Sequence, residues 1–216
     1  MRHLAQCLIA GVLLMSTLPA WPRNLPAEFR NLKSLPKVVV DLRYASTNNF
    51  MKKNVYGDFK ETFLHEKAFG MLKAASEELD RRRPGYKLIV FDALRPRSVQ
   101  RVLYSFVVGT PEEKYVANPD KGGMHNYGFA VDLSIVDEQG NELDMGTPFD
   151  DFTDLSQPQL EEKFLKAGKI SEKQVANRKL LREVMEKQGY KVLPHEWWHF
   201  DALPGDQVRK NYKIVE

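Results

Sequence analysis

Cysteine is almost missing from this chain: of 216 residues only Cys7 carries a thiol, and it lies in the first apolar stretch. For everything after that stretch, a cysteine nucleophile, a disulfide framework and a cysteine-built zinc knot are excluded. Concentrated positive charge is missing too. The formal net charge is only +3, drawn from abundant residues of both signs, and Arg81-Arg82-Arg83 is the one dense basic cluster, with no aromatic residue interleaved. That pattern gives no nucleic-acid footprint and suits the solvated end of a helix. No internal repeat or low-complexity tract interrupts the chain, and its length favours one core and one domain.

The longest apolar run is short and N-terminal. Met1-Arg2-His3 precedes a mostly apolar segment from Leu4 to Leu18, followed by Pro19-Ala20-Trp21-Pro22. A basic start, an apolar run too brief to span a bilayer comfortably and a small residue before a polar region describe an export signal over residues 1–20. Leu18 is ill suited to the position two before Ala20, so an uncleaved N-terminal anchor is the alternative. Cys7 precedes the apolar run, where a lipoprotein cysteine would follow it. The expected destination is the periplasm, with no stable membrane association once the signal is cleaved.

Pro22, Pro26 and Pro36 make residues 21–36 an extended lead-in. Lys37 to Tyr44 is a β-branched run and predicts a strand, followed by a polar loop. Ala68, Met71, Leu72, Ala75 and Leu79 recur at helical spacing and predict a helix from Leu64 to Arg82, stopped by Pro84-Gly85. Tyr86 to Leu94 predicts a buried strand, and Ser98 to Val107 a second helix. Ala130 to Val136 predicts a strand whose Asp137-Glu138-Gln139-Gly140 turn returns the chain as a hairpin. Pro158 to Ala167 and Glu172 to Gln188 read as helices, and Tyr190 to Leu193 as a last strand leading into Glu196. The expected fold is α+β, a single domain over residues 37–216. Its central, mainly antiparallel sheet should have helices packed against it.

What the chain does carry is a split pair of histidine segments. One runs Gly123-Met124-His125-Asn126-Tyr127-Gly128-Phe129-Ala130-Val131-Asp132, the other Glu196-Trp197-Trp198-His199. Two imidazoles, a carboxylate at short fixed distance from the first and a spare carboxylate beside the second are the parts of a catalytic zinc site with one open position. In a loop that turns into a strand, His125 and Asp132 can reach one point. Asp132 sits among Ala130, Val131 and Leu133, where a lone ionised carboxylate is costly unless a cation or hydrogen bonds compensate. Of Glu196 and His199, one can bind the ion while the other holds a water or the leaving amine. Taken singly, each histidine fits a core or capping position equally well; the combination favours a metal. His3 belongs to the export segment, His65 reads as exposed or capping, and the side chain of His195 should point away as outer support at best. Trp197 and Trp198 suit either a substrate wall or simple packing.

These residues carry a family resemblance. The first segment is similar to the Ser-x-His-x-x-Gly-x-Ala-x-Asp signature of zinc D,D-peptidases, and Glu196-Trp197-Trp198-His199 resembles their second signature. More narrowly, Asp41-Leu42-Arg43-Tyr44, Asn49-Phe50, Val55-Tyr56-Gly57, Asp92-Ala93-Leu94-Arg95-Pro96 and Met145-Gly146-Thr147-Pro148-Phe149-Asp150 resemble the vancomycin-resistance-type D-alanyl-D-alanine dipeptidases, in the family's order over residues 37–203. The resemblance implies one zinc held by His125, Asp132 and His199, with Glu196 as general base. It implies Arg95 as oxyanion stabiliser, Tyr44 and Asp150 at the free amine of a dipeptide, and Tyr56 lining the pocket. An ion pair between Arg95 and Asp92 that braces the strand end is compatible with that role. The chain departs from the signature at Gly123, where the family has serine; that serine is associated with substrate contact, so the change bears on specificity and not on hydrolysis. The implied activity is hydrolysis of D-alanyl-D-alanine or a related dipeptide in cell-wall peptide turnover. The alternatives are a D,D-carboxypeptidase or endopeptidase acting on longer peptides, and a non-catalytic zinc peptide-binding protein. Nothing in the sequence sets the oligomeric state.

Overall fold

Central strand β5 (Ala130–Val136) is buried at every position, as a strand covered on both faces must be, and it is apolar except at Asp132 and Ser134. In the computed structural model, which describes residues 25–216, this strand is the middle of a five-stranded sheet. The predicted export signal, with Cys7, lies outside the described residues. From one edge to the other the sheet runs β2 (Val38–Val40), β4 (Lys87–Asp92), β5, β7 (Glu196–Asp201) and β6 (Lys191–Leu193). Only the β2–β4 pair is parallel. A separate antiparallel pair joins β1 (Phe29–Asn31) to β3 (Phe63–His65). The expected α+β, mainly antiparallel architecture is the one observed.

Helix α1 (Glu66–Arg82) makes the crossover that a parallel β2–β4 pair needs. Ala68, Leu72, Ala75 and Leu79, spaced one helical face apart, are fully buried. His65 caps it, its Nδ1 accepting from the Lys67 amide at 3.3 Å, but the ring is buried against Phe129 and Tyr212 rather than exposed. Helix α2 (Arg97–Val107) follows β4, and the short α3 (Glu161–Lys166) precedes α4 (Glu172–Glu186). Ser171 and Gln174 form a reciprocal capping box at the start of α4. Buried Leu181, Val184 and Met185 turn α4 inward, where it lies against α1. Among the described residues no helix is long and apolar enough to cross a membrane.

Several expected elements are shorter or different. The strand expected from Lys37 to Tyr44 ends at Val40, and Arg43–Ala45 form a 3-10 turn. The Arg43 guanidinium is drawn to Asp41 and Glu142 and over the Phe91 ring. The hairpin return after Gly140 is a single bridge, Val136 to Glu142, because Asp144 is drawn to α4 by Gln174 and Asn177. The first three residues after Gln157, Pro158–Leu160, open as a 3-10 turn before α3 begins. Beyond Leu193 a further strand, β7, was not anticipated, nor was α5 (Gly205–Asn211). The lead-in contributes strand β1, and Leu32 and Leu35 are buried in the core.

Candidate metal centre and substrate cavity

The register of the sheet delivers three functional side chains in one row. Asp132 on β5 pairs with Asp92 on β4, just after a bulge, and with His199 on β7. Directly paired residues present their side chains to the same face, so the row Asp92, Asp132, His199 crosses three strands. His125 comes from a 3-10 turn, Met124–Tyr127, that precedes β5. Gly128 ends this turn at φ 70°, where a Cβ would lie 2.6 Å from the Phe29 ring and 3.0 Å from the His65 amide. Asn126 holds the turn in place, donating to the Arg95 carbonyl at 2.8 Å and accepting from the Gly123 amide at 2.8 Å.

Outer hydrogen bonds fix which histidine nitrogens face inward. His125 Nδ1 donates to the Ala93 carbonyl at 2.7 Å, leaving Nε2 toward the cluster. His199 Nε2 donates to Asp201 Oδ1 at 2.9 Å, leaving Nδ1 toward the cluster. The inward atoms meet closely: His125 Nε2 to His199 Nδ1 is 3.2 Å, His125 Nε2 to Asp132 Oδ2 is 3.3 Å, and His199 Nδ1 to Asp132 Oδ1 is 3.0 Å. Three acceptors this close repel one another unless a proton on His199 or a cation sits among them. A metal ion serves all three at once. Bonds of 2.0–2.1 Å in a tetrahedron give ligand separations of about 3.3 Å, so the donor set fits zinc in spacing as well as in type. These three residues are the group among the described residues that could hold a metal ion.

The charges agree. Against the effect of burial, His125 and then His199 hold the Asp132 carboxyl well below its ordinary value. Also against burial, Asp201 and Asp132 raise His199 well above its own. The centre attracts positive charge.

Around it lies a cavity of about 260 Å³, smaller than the roughly 300–1,000 Å³ of drug-sized pockets. Glu196 stands on its wall, and burial, with Asp132 and Asp150 adding, pushes its carboxyl up to about 8 against His199 and Arg95. Arg95 is buried and held on three sides. It donates from Nε to Asp92 Oδ2 at 2.8 Å and from Nη1 to Gln100 Oε1 at 2.9 Å, and its Nη2 lies 3.5 Å from Asp132. Its guanidinium also sits 5.0 Å over the Tyr44 ring. The ion pair with Asp92 and a position on the cavity wall therefore coexist.

Tyr44 and Asp150 meet on that wall, the Tyr44 hydroxyl donating to Asp150 Oδ1 at 3.1 Å. The Phe50 amide donates to Asp150 Oδ2 at 3.2 Å. Asp150 has φ 62°, a left-handed conformation that costs a non-glycine residue free energy and is held here by both bonds. Burial, then Asp132, raises its carboxyl to about 7.

Two placements differ from expectation. Tyr56 does not line the cavity; its hydroxyl is turned behind the wall and donates to Asp92 Oδ1 at 2.6 Å, bracing the carboxylate that braces Arg95. His195, expected to point away, is on the cavity wall with its ring edge against Tyr115 at 5.6 Å. Gly123 is also on the wall, and a Cβ there would come 2.9 Å from the Ala117 Cβ, so Ala117 occupies the space a larger residue 123 would need. Sequence reasoning missed Gln100, Asn126 and Asp201. Asp201 had a signal, since two residues on from His199 in a strand is the same face; Gln100 and Asn126 act across the fold and had none.

The family model described as Peptidase_M15, D-ala-D-ala dipeptidase, matches residues 27–215. A D-alanyl-D-alanine dipeptidase of Escherichia coli (strain K12) is 31% identical over 166 residues, covering 77% of this chain and 79% of its own. One from Enterococcus faecium is 30% identical over 178 residues, covering 74% and 83%. The solved structure of the LdcB LD-carboxypeptidase aligns over 88% of this chain and 75% of that one, at 17% identity and a TM-score of 0.44.

Proposed function

The chain belongs to the peptidase M15, D-ala-D-ala dipeptidase family, an enzyme family of metallopeptidases, and from that premise we propose that it is a zinc dipeptidase hydrolysing D-alanyl-D-alanine or a related D-configured dipeptide. The observation that carries this reading is the convergence of three inward donor atoms, His125 Nε2, the Asp132 carboxylate and His199 Nδ1, beside the buried Glu196. Zinc held by these residues supplies the Lewis acidity that polarises the scissile carbonyl and makes a water acidic enough to attack.

Glu196 accepts the proton of the attacking water and returns it to the leaving nitrogen, so that a C–O bond forms, the C–N bond breaks and a neutral amine departs. A carboxyl raised toward neutrality suits both transfers. Arg95 meets the negative charge developing on the carbonyl oxygen; Asp92 and Gln100 already hold its guanidinium, so little reorganisation accompanies the step. Asp150 and Tyr44 hold the substrate's ammonium, whose charge favours the ionised form of Asp150. In this proposal residues 1–20 are the export signal, and the domain works on cell-wall peptides in the periplasm.

The test measures D-alanine release from D-alanyl-D-alanine, in parallel with L,D- and L,L-dipeptides and an N-acylated D,D-peptide, with and without a chelator. Chelator-sensitive release confined to free-amine D,D-substrates is expected. Glu196→Ala should abolish turnover, a loss of at least about 100-fold, while zinc remains bound. Normal turnover in that variant overturns the assignment.

A further inference from the structure

A free dipeptide brings two charges to its site, an ammonium at one end and a carboxylate at the other. Asp150 and Tyr44 answer the first. For the second, the cavity wall offers three cationic side chains, Arg95, Lys114 and Arg209. Arg95, held in place by Asp92, Gln100 and Asp132, is committed in the reading above to the scissile carbonyl oxygen. Lys114 belongs to the ammonium end: its Nζ lies 4.9 Å over the Tyr115 ring, which stacks at 4.8 Å on Phe152, two residues from Asp150. A cation there opposes the ammonium rather than serving the carboxylate.

Arg209, on α5, lies on another part of the wall. Its Nη1 is 2.8 Å from the point where a Cβ would project from Gly205, and the Met124 Cε is 3.6 Å from the same point. The guanidinium thus lies down over a bare glycine, next to the Gly123–Met124 segment that leads into His125. Its ion-pair partner, Asp206 at 3.7 Å, is fully exposed and holds it weakly. Residue 123 cannot contribute a side chain of its own, because Ala117 fills the space a Cβ would need. We propose that Arg209 binds the C-terminal carboxylate of the substrate and makes the enzyme selective for a free dipeptide acid. This rests on the dipeptidase reading above and adds the residue that recognises the far end.

The experiment compares D-alanyl-D-alanine with its C-terminal carboxamide, in turnover and by calorimetric binding to a Glu196→Gln background. The wild-type protein should prefer the acid. Arg209→Ala should lower kcat/KM for the acid roughly tenfold or more, mainly through KM, the scale of one lost charge-assisted hydrogen bond. The carboxamide should change far less, so the acid-to-amide ratio collapses. Arg209→Lys should restore part of the ratio, and Gly205→Ala, whose Cβ displaces the guanidinium, should reduce it without removing the charge. Equal loss for acid and amide in Arg209→Ala, or an unchanged ratio, overturns the proposal, as does a collapse produced by Lys114→Ala instead. If the wild-type protein releases no D-alanine, the dipeptidase reading fails by itself; the calorimetric acid-to-amide ratio still decides the role of Arg209.

Discussion

The floor of the cavity and its rim are built differently. On the floor, Asp132 and His199, with Asp92 buried behind them in the same row, are fixed by the pairing of three adjacent strands, and moving any one requires moving the central sheet. On the rim, Tyr44, Asp150, Gly123 and Arg209 come from turns, loops and a short terminal helix, and the polar side chains among them bond to single side-chain partners, Tyr44 with Asp150 and Arg209 with Asp206. Strand register is all-or-none, since a one-residue slip would reverse every side chain. Loop positions can change singly. The metal centre is therefore tied to the fold, while the rim can vary on the same scaffold, and Gly123 with Ala117 packed against it is one rim position.

The sharpest way to break this contrast is to loosen the floor without touching a proposed ligand. Asp201 holds His199 by its outer nitrogen at 2.9 Å and is half-buried. Asp201→Asn removes the charge that fixes the ring's orientation and should cost about 10- to 100-fold in zinc affinity, measured by chelator competition. Activity at saturating zinc should recover most of the way. If zinc affinity is unchanged, the floor does not depend on its outer hydrogen bonds and the contrast with the rim weakens.

On the rim the prediction is a change of selectivity with the metal left in place. Asp150→Asn keeps the acceptor for Tyr44 but removes the negative charge opposite the substrate ammonium. It should lower kcat/KM for the free-amine dipeptide about tenfold, leave zinc affinity as in the wild-type protein and narrow the gap to an N-acylated substrate. A loss of zinc in this variant would show floor and rim to be one coupled unit.

The same division explains what could be seen in the sequence. His125, Asp132, Glu196 and His199 lie in two short segments whose spacing is a local signal, and the structure brings all four to one cavity. Tyr56 was misplaced because its partner, Asp92, is 36 residues away, and nothing local says that the hydroxyl turns inward. Strand β7 is missed because Trp197 and Trp198 read as a substrate wall or as simple packing, although bulky aromatics are also strand formers. The strand from Lys37 stops short because the tertiary partners of Arg43, the Glu142 carboxylate and the Phe91 ring, outweigh local β propensity. Register within a strand is written locally; the meeting of loops is not.

The smallest expected effect lies far from both floor and rim and separates stability from selectivity. Glu78 on α1 accepts from Arg81, Arg82 and Lys187, and these bonds hold its carboxyl down at about 2, below its ordinary 4.5. A carboxyl depressed in the folded state contributes stability that is fully present above the unfolded value and is lost as pH falls toward the folded one. Glu78→Gln should therefore lower the melting temperature slightly at neutral pH and flatten its decline between pH 4.5 and 2. Melting curves across that range check the first part. The second part is kinetic: the acid-to-amide and free-to-acylated substrate ratios should match the wild-type protein, because neither the sheet row nor the loops touch this helix end. A shift in either ratio would mean that α1 transmits its packing to the cavity.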